Sequence, residues 1–213
     1  MSALQLQRQL GVATYRTAWY MLHRLRRAMV NDSRTLLRGR VEADETIIGG
    51  PVKGKRGRGI SKEEANTLVF GAVEVEVYQD RQRRTKEKAG RLRLSTSERA
   101  DEISIGQFMQ SNVHEGTIVA TDGWRGYSEA AMQGYFHEPQ KKAAVLHIHR
   151  AFGNLKTWLN GTHHGVDPKY LPRYLDEYVF RFNRRDSPMA AFQTLLGIVS
   201  VKRPLPLRAL KQP

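Results

Sequence analysis

The sequence has no cysteine in its 213 residues. That excludes disulfides, thiol nucleophiles and cysteine-ligated zinc from this chain. It has no apolar run near the ~20 residues that a membrane-spanning helix needs. Its opening stretch, MSALQLQRQLGV, lacks the apolar core and small-residue cleavage site of a signal peptide. These absences fit a cytoplasmic protein. Acidic residues are scarce beside basic ones: 21 Asp plus Glu against 35 Lys plus Arg, a formal net charge of +14. A soluble protein this basic meets a polyanion, most often nucleic acid; a ribosomal or membrane-surface protein is the plainer alternative. No internal repeat and no long low-complexity segment is present.

With 40% hydrophobic residues, the chain can bury one sizeable core and carry a small appendage. Three parts are expected: a helical segment over 1–35, an α/β domain over 36–190 and a tail over 191–213. From Ser2 to Val30 the apolar residues recur at helical spacing, with a break at Gly11–Thr14 and with Arg24, Arg26 and Arg27 on the outer face. Two short linked helices of this kind read either as the end of a helix-turn-helix DNA reader or as an amphipathic pair packed on the main domain.

Strands are expected at Arg40–Ile48, Thr67–Tyr78 and Arg91–Ser95, forming an antiparallel meander with a basic turn over Gln79–Gly90. A helix over Asp101–Asn112, a buried strand at Thr117–Thr121, a short helix at Tyr127–Gln133, a fifth strand at Ala143–Ile148 and helices over Ala151–Asn160 and Pro168–Asn183 follow. Strand, strand, strand, helix, strand, helix, strand, helix is the order of a ribonuclease H-like α/β fold, a mixed sheet flanked by helices. The stretch GGPVKGKRGRG between the first two strands carries Lys53, Lys55, Arg56 and Arg58. It is a phosphate-backbone clamp or a solvated linker. It is not a nucleotide loop, because neither lysine is followed by Ser or Thr.

Three blocks carry chemistry. In VEADE, Asp44 lies among apolar neighbours, and strand alternation puts Glu42, Asp44 and Thr46 on one face, with Glu45 on the other. A carboxylate buried there needs a partner or a metal ion. In TDGWRGY, Asp122 ends a buried strand, where open α/β folds place ligands; capping the following segment is the alternative role. In HIHRAFGNLK, His149 stands at a helix head with Lys156 seven residues on, on the same face. Imidazole ligates zinc or manganese better than magnesium. Asn154 is a neutral oxygen donor nearby, but it faces elsewhere. Arg150, Lys156, Arg184 and Arg185 are candidate phosphate contacts. His163 and His164 are adjacent and cannot both address one metal from a regular element. Tyr174, Tyr178 and Phe182 recur at core spacing.

The blocks VEADETIIGG, TDGWRGY, HRAFGNLKTWLNGTHHGV and YLDEYVFRFNRR, in this order, resemble the ISXO-type insertion-sequence transposases of the DDE superfamily. The resemblance covers roughly Arg40 to Arg185, plus the helical N-terminus. It implies an integrase-like core, cut-and-join chemistry at transposon ends, and two Mg2+ ions (Mn2+ as the alternative) held by two aspartates and a third residue. Asp44 and Asp122 match the aspartates. The register of the third block puts His149 where many relatives carry Glu, and Lys156 at the matching lysine. The family usually begins with a cysteine-ligated zinc ribbon, so Ser2–Val30 reads as the remnant downstream of a lost ribbon.

The expected function is therefore a bacterial, nucleoid-associated transposase that acts on transposon ends and target DNA, as a homo-oligomer in a synaptic complex. Asp44, Asp122 and His149 would hold metal, and Lys156 would position DNA. The competing readings are a catalytically inactive DNA-binding copy and a nuclease of the same fold.

Overall fold

A computed structural model describes residues 1–30, 34–49, 66–140, 145–202 and 206. Lys53, Lys55, Arg56 and Arg58 lie outside the described residues. The chain forms two compact units, one of Thr35–Lys156 and one of Met1–Arg34 with Thr157–Pro213.

The first unit is built on a mixed sheet of strand order β3-β2-β1-β4-β5. β1 (Arg40–Gly49), β2 (Asn66–Gln79) and β3 (Thr85–Ser97) form the expected antiparallel meander. β4 (Ile118–Thr121) runs parallel to β1, and β5 (Phe136–Pro139) parallel to β4. One face of the sheet is apolar through Val41, Ala43, Phe70, Ala72 and Val119, which pack in one core with Ile105, Phe108 and Met109 of α3 (Glu102–Asn112). Asp101 starts that helix by accepting the Ser104 N–H at 2.8 Å. The opposite face carries α4 (Leu146–Trp158). Its buried residues Ile148, Ala151, Phe152 and Leu155 repeat at i, i+3, i+4 and i+7. At Gly71 a Cβ atom would sit 2.7 Å from the Phe152 ring and 2.8 Å from Ile148, so only glycine admits the helix this close to β2.

Three local expectations are corrected. The fifth strand is Phe136–Pro139, while Leu146–Ile148 is the first turn of α4. The Val145–Ile148 stretch reads as a strand when taken alone, but its buried positions continue the 3.6-residue pattern of α4. Tyr127–Gln133 forms a run of turns, with Tyr127, Ala131 and Met132 packed in the α3-side core. The basic turn is shorter than expected. It closes at Asp80, whose carboxylate accepts the Gln82 and Arg84 N–H groups at 2.8 and 2.9 Å. Thr85–Gly90 belongs to β3, where Lys88 pairs with Glu76 across the strands at 3.1 Å.

The second unit is helical. α1 (Ala3–Leu10) and α2 (Tyr15–Ala28) are capped by Ser2 and Thr14, and Gly11, at φ 64°, ends the first. α5 (Leu171–Phe182) and α6 (Pro188–Val201) follow a π turn at Leu159–His163 and a short 3-10 turn at Pro168–Tyr170. Arg26 is not on the outer face of α2. It is 1% exposed, pairs with Glu177 at 2.8 Å and lies 3.9 Å from the Tyr174 ring centre. The paired charge and the ring are what make its burial tolerable. Of the three expected core rings on α5, Tyr174 is buried, and Tyr178 and Phe182 are half-buried.

Candidate active site

β1 supplies the base of the site. Glu42 and Asp44, two residues apart, share the face that carries α4, and both are nearly inaccessible, at 4% and 6%. Glu42 accepts two backbone N–H groups from the first turn of α4, His147 at 2.7 Å and Ile148 at 2.9 Å, both at Oε2. A carboxylate there satisfies donors that the helix cannot and meets the positive end of its dipole. Gly71, opposite Asp44 in the β1–β2 register, leaves room for the helix. As a result His149 Nε2 lies 2.8 Å from Asp44 Oδ2.

β4 supplies the second carboxylate. Its parallel register with β1 ends at Glu42 opposite Ala120. Two residues further on each chain are Asp44 and Asp122, at the same end of the sheet. Asp122 is half-buried and accepts the Trp124 N–H at Oδ1, 2.9 Å away. The turn needs Gly123, at φ 76°.

The electrostatics follow from burial and from like charges brought together. Burial raises the Asp44 pKa, and the charge of Asp122 adds to the rise; the Glu45 N–H (2.9 Å) and His149 oppose it. Glu45 is raised for the same reasons, burial first and then the charge of Asp44. Tyr127 donates its hydroxyl to Glu45 Oε2 at 3.1 Å. Burial, followed by the charges of Glu45 and Asp44, pushes the Tyr127 phenol well above its ordinary value. Three carboxylates thus sit within each other's field at one end of the sheet, an arrangement that favours a bound cation.

The other candidates are distributed as follows. Arg150, Asn154 and Lys156 are exposed on α4. Arg184 and Arg185 belong to the helical unit, where they lie over the Phe180 and Phe182 rings and donate to the carbonyls of the same residues, at 3.3 and 2.8 Å. Both arginines therefore help to close the C-terminus of α5. His163 packs against Trp158 and Tyr174 in the same unit. The sequence reading assigned no role to Glu42 or Tyr127 and set Glu45 aside. The only signals were the shared strand face of Glu42 and the position of Tyr127 inside the TDGWRGY block.

The family model described as ISXO2-like transposase domain matches residues 36–183. The chain belongs to this family. No curated protein matches the chain. The transposase domain has the mixed five-stranded sheet flanked by helices of a ribonuclease H-like fold. Membership carries a transposase function, and with it action on DNA and a general use of divalent metal. The donor set of this transposase domain fits a hard divalent ion in kind, since buried carboxylate oxygens are its preferred ligands. Among the described residues no group of three or more His, Asp or Glu side chains is disposed around a single metal position. Among the described residues no helix is long and apolar enough to cross a membrane.

Proposed function

We propose that this transposase domain cleaves DNA at the ends of its insertion sequence and transfers the freed strand to target DNA, in a metal-dependent reaction. The observation that carries the reading is the Asp44–His149 contact of 2.8 Å, made at the end of the sheet where β4 delivers Asp122. Asp44, Asp122 and His149 would hold Mg2+, with Mn2+ the better match to an imidazole ligand. A metal ion held there would supply Lewis-acid polarisation of the phosphate and a lowered pKa for the attacking hydroxyl. The chain's own residues orient the site. Glu42 sets the start of α4, Gly71 its approach, and Tyr127 fixes the Glu45 carboxylate by donating to it.

Lys156, exposed two turns beyond His149 on α4, would position the reacting DNA strand. Lys53, Lys55, Arg56, Arg58, Arg150, Arg184 and Arg185 would neutralise phosphates, so affinity should fall steeply with salt. Function as a homo-oligomer in a synaptic complex belongs to the same reading.

A second reading is a DNA-binding protein without catalysis. It is favoured by the lack of a three-ligand group among the described residues. Cleavage and strand transfer on the element's terminal DNA, in Mg2+ and in Mn2+, with Asp122→Asn as control, separate the two. Strand transfer that the control loses supports the transposase. Salt-sensitive binding with no product in either metal supports the binding protein.

A further inference from the structure

The helical unit contains a pocket of about 400 Å³ that the active-site reading does not use. Its wall includes four aromatic rings, those of Tyr15, Trp19, Tyr170 and Tyr174, together with Arg26 and His163. Arg26 is 1% exposed, and its Nη2 has no hydrogen-bond partner; nor does the buried Nε2 of His163. Buried donors are rarely left this way unless something external completes them. An aromatic wall with two unfilled polar positions suits a flat ring with a polar edge.

Charge narrows the choice. The Arg26 guanidinium already faces Glu177 at 2.8 Å through Nε, so its unpartnered Nη2 is left as a directed donor. Burial, followed by the charge of Arg26, drives the His163 pKa down to about 4, so its ring is neutral and can donate or accept. Lys169 and Arg173 lie 5.7 and 5.9 Å from the centre of the Tyr170 ring, which itself lines the pocket, and their charge suits a backbone attached to a base inside.

We propose that this pocket receives an unpaired nucleobase of the DNA, stacked on its aromatic wall and hydrogen-bonded to Arg26 Nη2. The inference rests on the DNA-acting reading above. Base stacking on aromatic side chains contributes roughly 1–3 kcal/mol per base, about a 5- to 100-fold change in affinity.

The test uses an eight-nucleotide single strand with a central 2-aminopurine, whose fluorescence is quenched by stacking, and an unmodified duplex. Tyr15→Ala removes a ring that is 52% exposed, and Thr162→Trp fills the pocket from its wall. Thermal melts confirm that both variants fold. Quenching by the wild type, with five-fold or greater loss of single-strand affinity in both variants and unchanged duplex affinity, is the expected result. Absent quenching, or quenching that both variants retain while duplex DNA still binds, overturns the pocket and leaves the DNA reading intact. Failure to bind either DNA overturns both.

Discussion

Replacing Glu42 by alanine should loosen α4 from β1. Glu42 accepts two N–H groups from the start of the helix, at 2.7 and 2.9 Å, and is 4% exposed. Bonds to a charged acceptor contribute about 1.5–3 kcal/mol each. Removing the carboxylate also forfeits its attraction to the helix N-terminus, up to ~2 kcal/mol in a partly buried setting. The relief of no longer burying a charge offsets part of this. The expected loss for Glu42→Ala is therefore about 3–5 kcal/mol, a large share of the ~5–15 kcal/mol that a folded domain has. Glu42→Gln keeps an acceptor and should lose about 1–2 kcal/mol. Urea unfolding should show a lower midpoint at unchanged slope, in the order wild type, Gln, Ala. His149 rides on the same helix, so strand transfer should fall in the same order. An alanine variant within about 0.5 kcal/mol of wild type would refute the reasoning. Packing at Gly71 would then be what holds the helix.

Two further predictions concern titration. Asp44 has its pKa raised, chiefly by burial. A raised carboxylate favours folding most below its ordinary pKa, and that contribution is lost as pH rises through the raised value. In metal-free protein, Asp44→Asn should therefore gain stability relative to wild type as pH rises above about 4. Added Mg2+ should reverse the difference, as measured by thermal melts at each pH. His23 behaves oppositely. Burial, then the charge of Arg26, lowers it from 6.5 to about 3, and both its ring nitrogens are buried without partners. Its contribution is complete above pH 6.5 and is lost as pH falls toward 3, up to about 3 kcal/mol by pH ~4.5. His23→Phe should flatten that acid limb in urea unfolding at the two pH values; an unchanged limb would remove His23 as its source.

The meander was legible because Val73, Val75 and Val77 alternate with Glu74 and Glu76, a pattern that only a strand uses well. Asp44 and Asp122 stood out because carboxylates inside apolar strands need a reason. The parts that were missed are non-local. Glu42 reads as an ordinary strand residue until the helix start 104 positions later arrives at its oxygen (|i−j| = 105 and 106 for its two bonds). Phe136–Pro139 becomes a strand only through its pairing with β4, since its own composition is weak for one. Arg26 was placed outside because a charge is normally solvated, and its inward position depends on Glu177 and Tyr174, which lie far along the chain.

The role of His149 can be separated by chemistry. Asp44 Oδ1 accepts the Glu45 N–H, and Oδ2 is 2.8 Å from His149 Nε2. A nitrogen that donates to Asp44 has no lone pair for a metal ion. As a co-ligand, His149 either gives up that proton or binds through Nδ1; as an orienting partner, it keeps the Nε2 proton directed at Asp44. Asn can donate to Asp44 but is a weak ligand, whereas Glu is a strong ligand and cannot donate. If His149 is a ligand, His149→Glu should retain strand transfer in Mg2+, His149→Asn should lose at least tenfold, and Mn2+ should stimulate the wild type but not the Asn variant. Near-wild-type activity in the Asn variant together with a dead Glu variant would make His149 a positioning residue for Asp44, leaving the third ligand to be sought elsewhere.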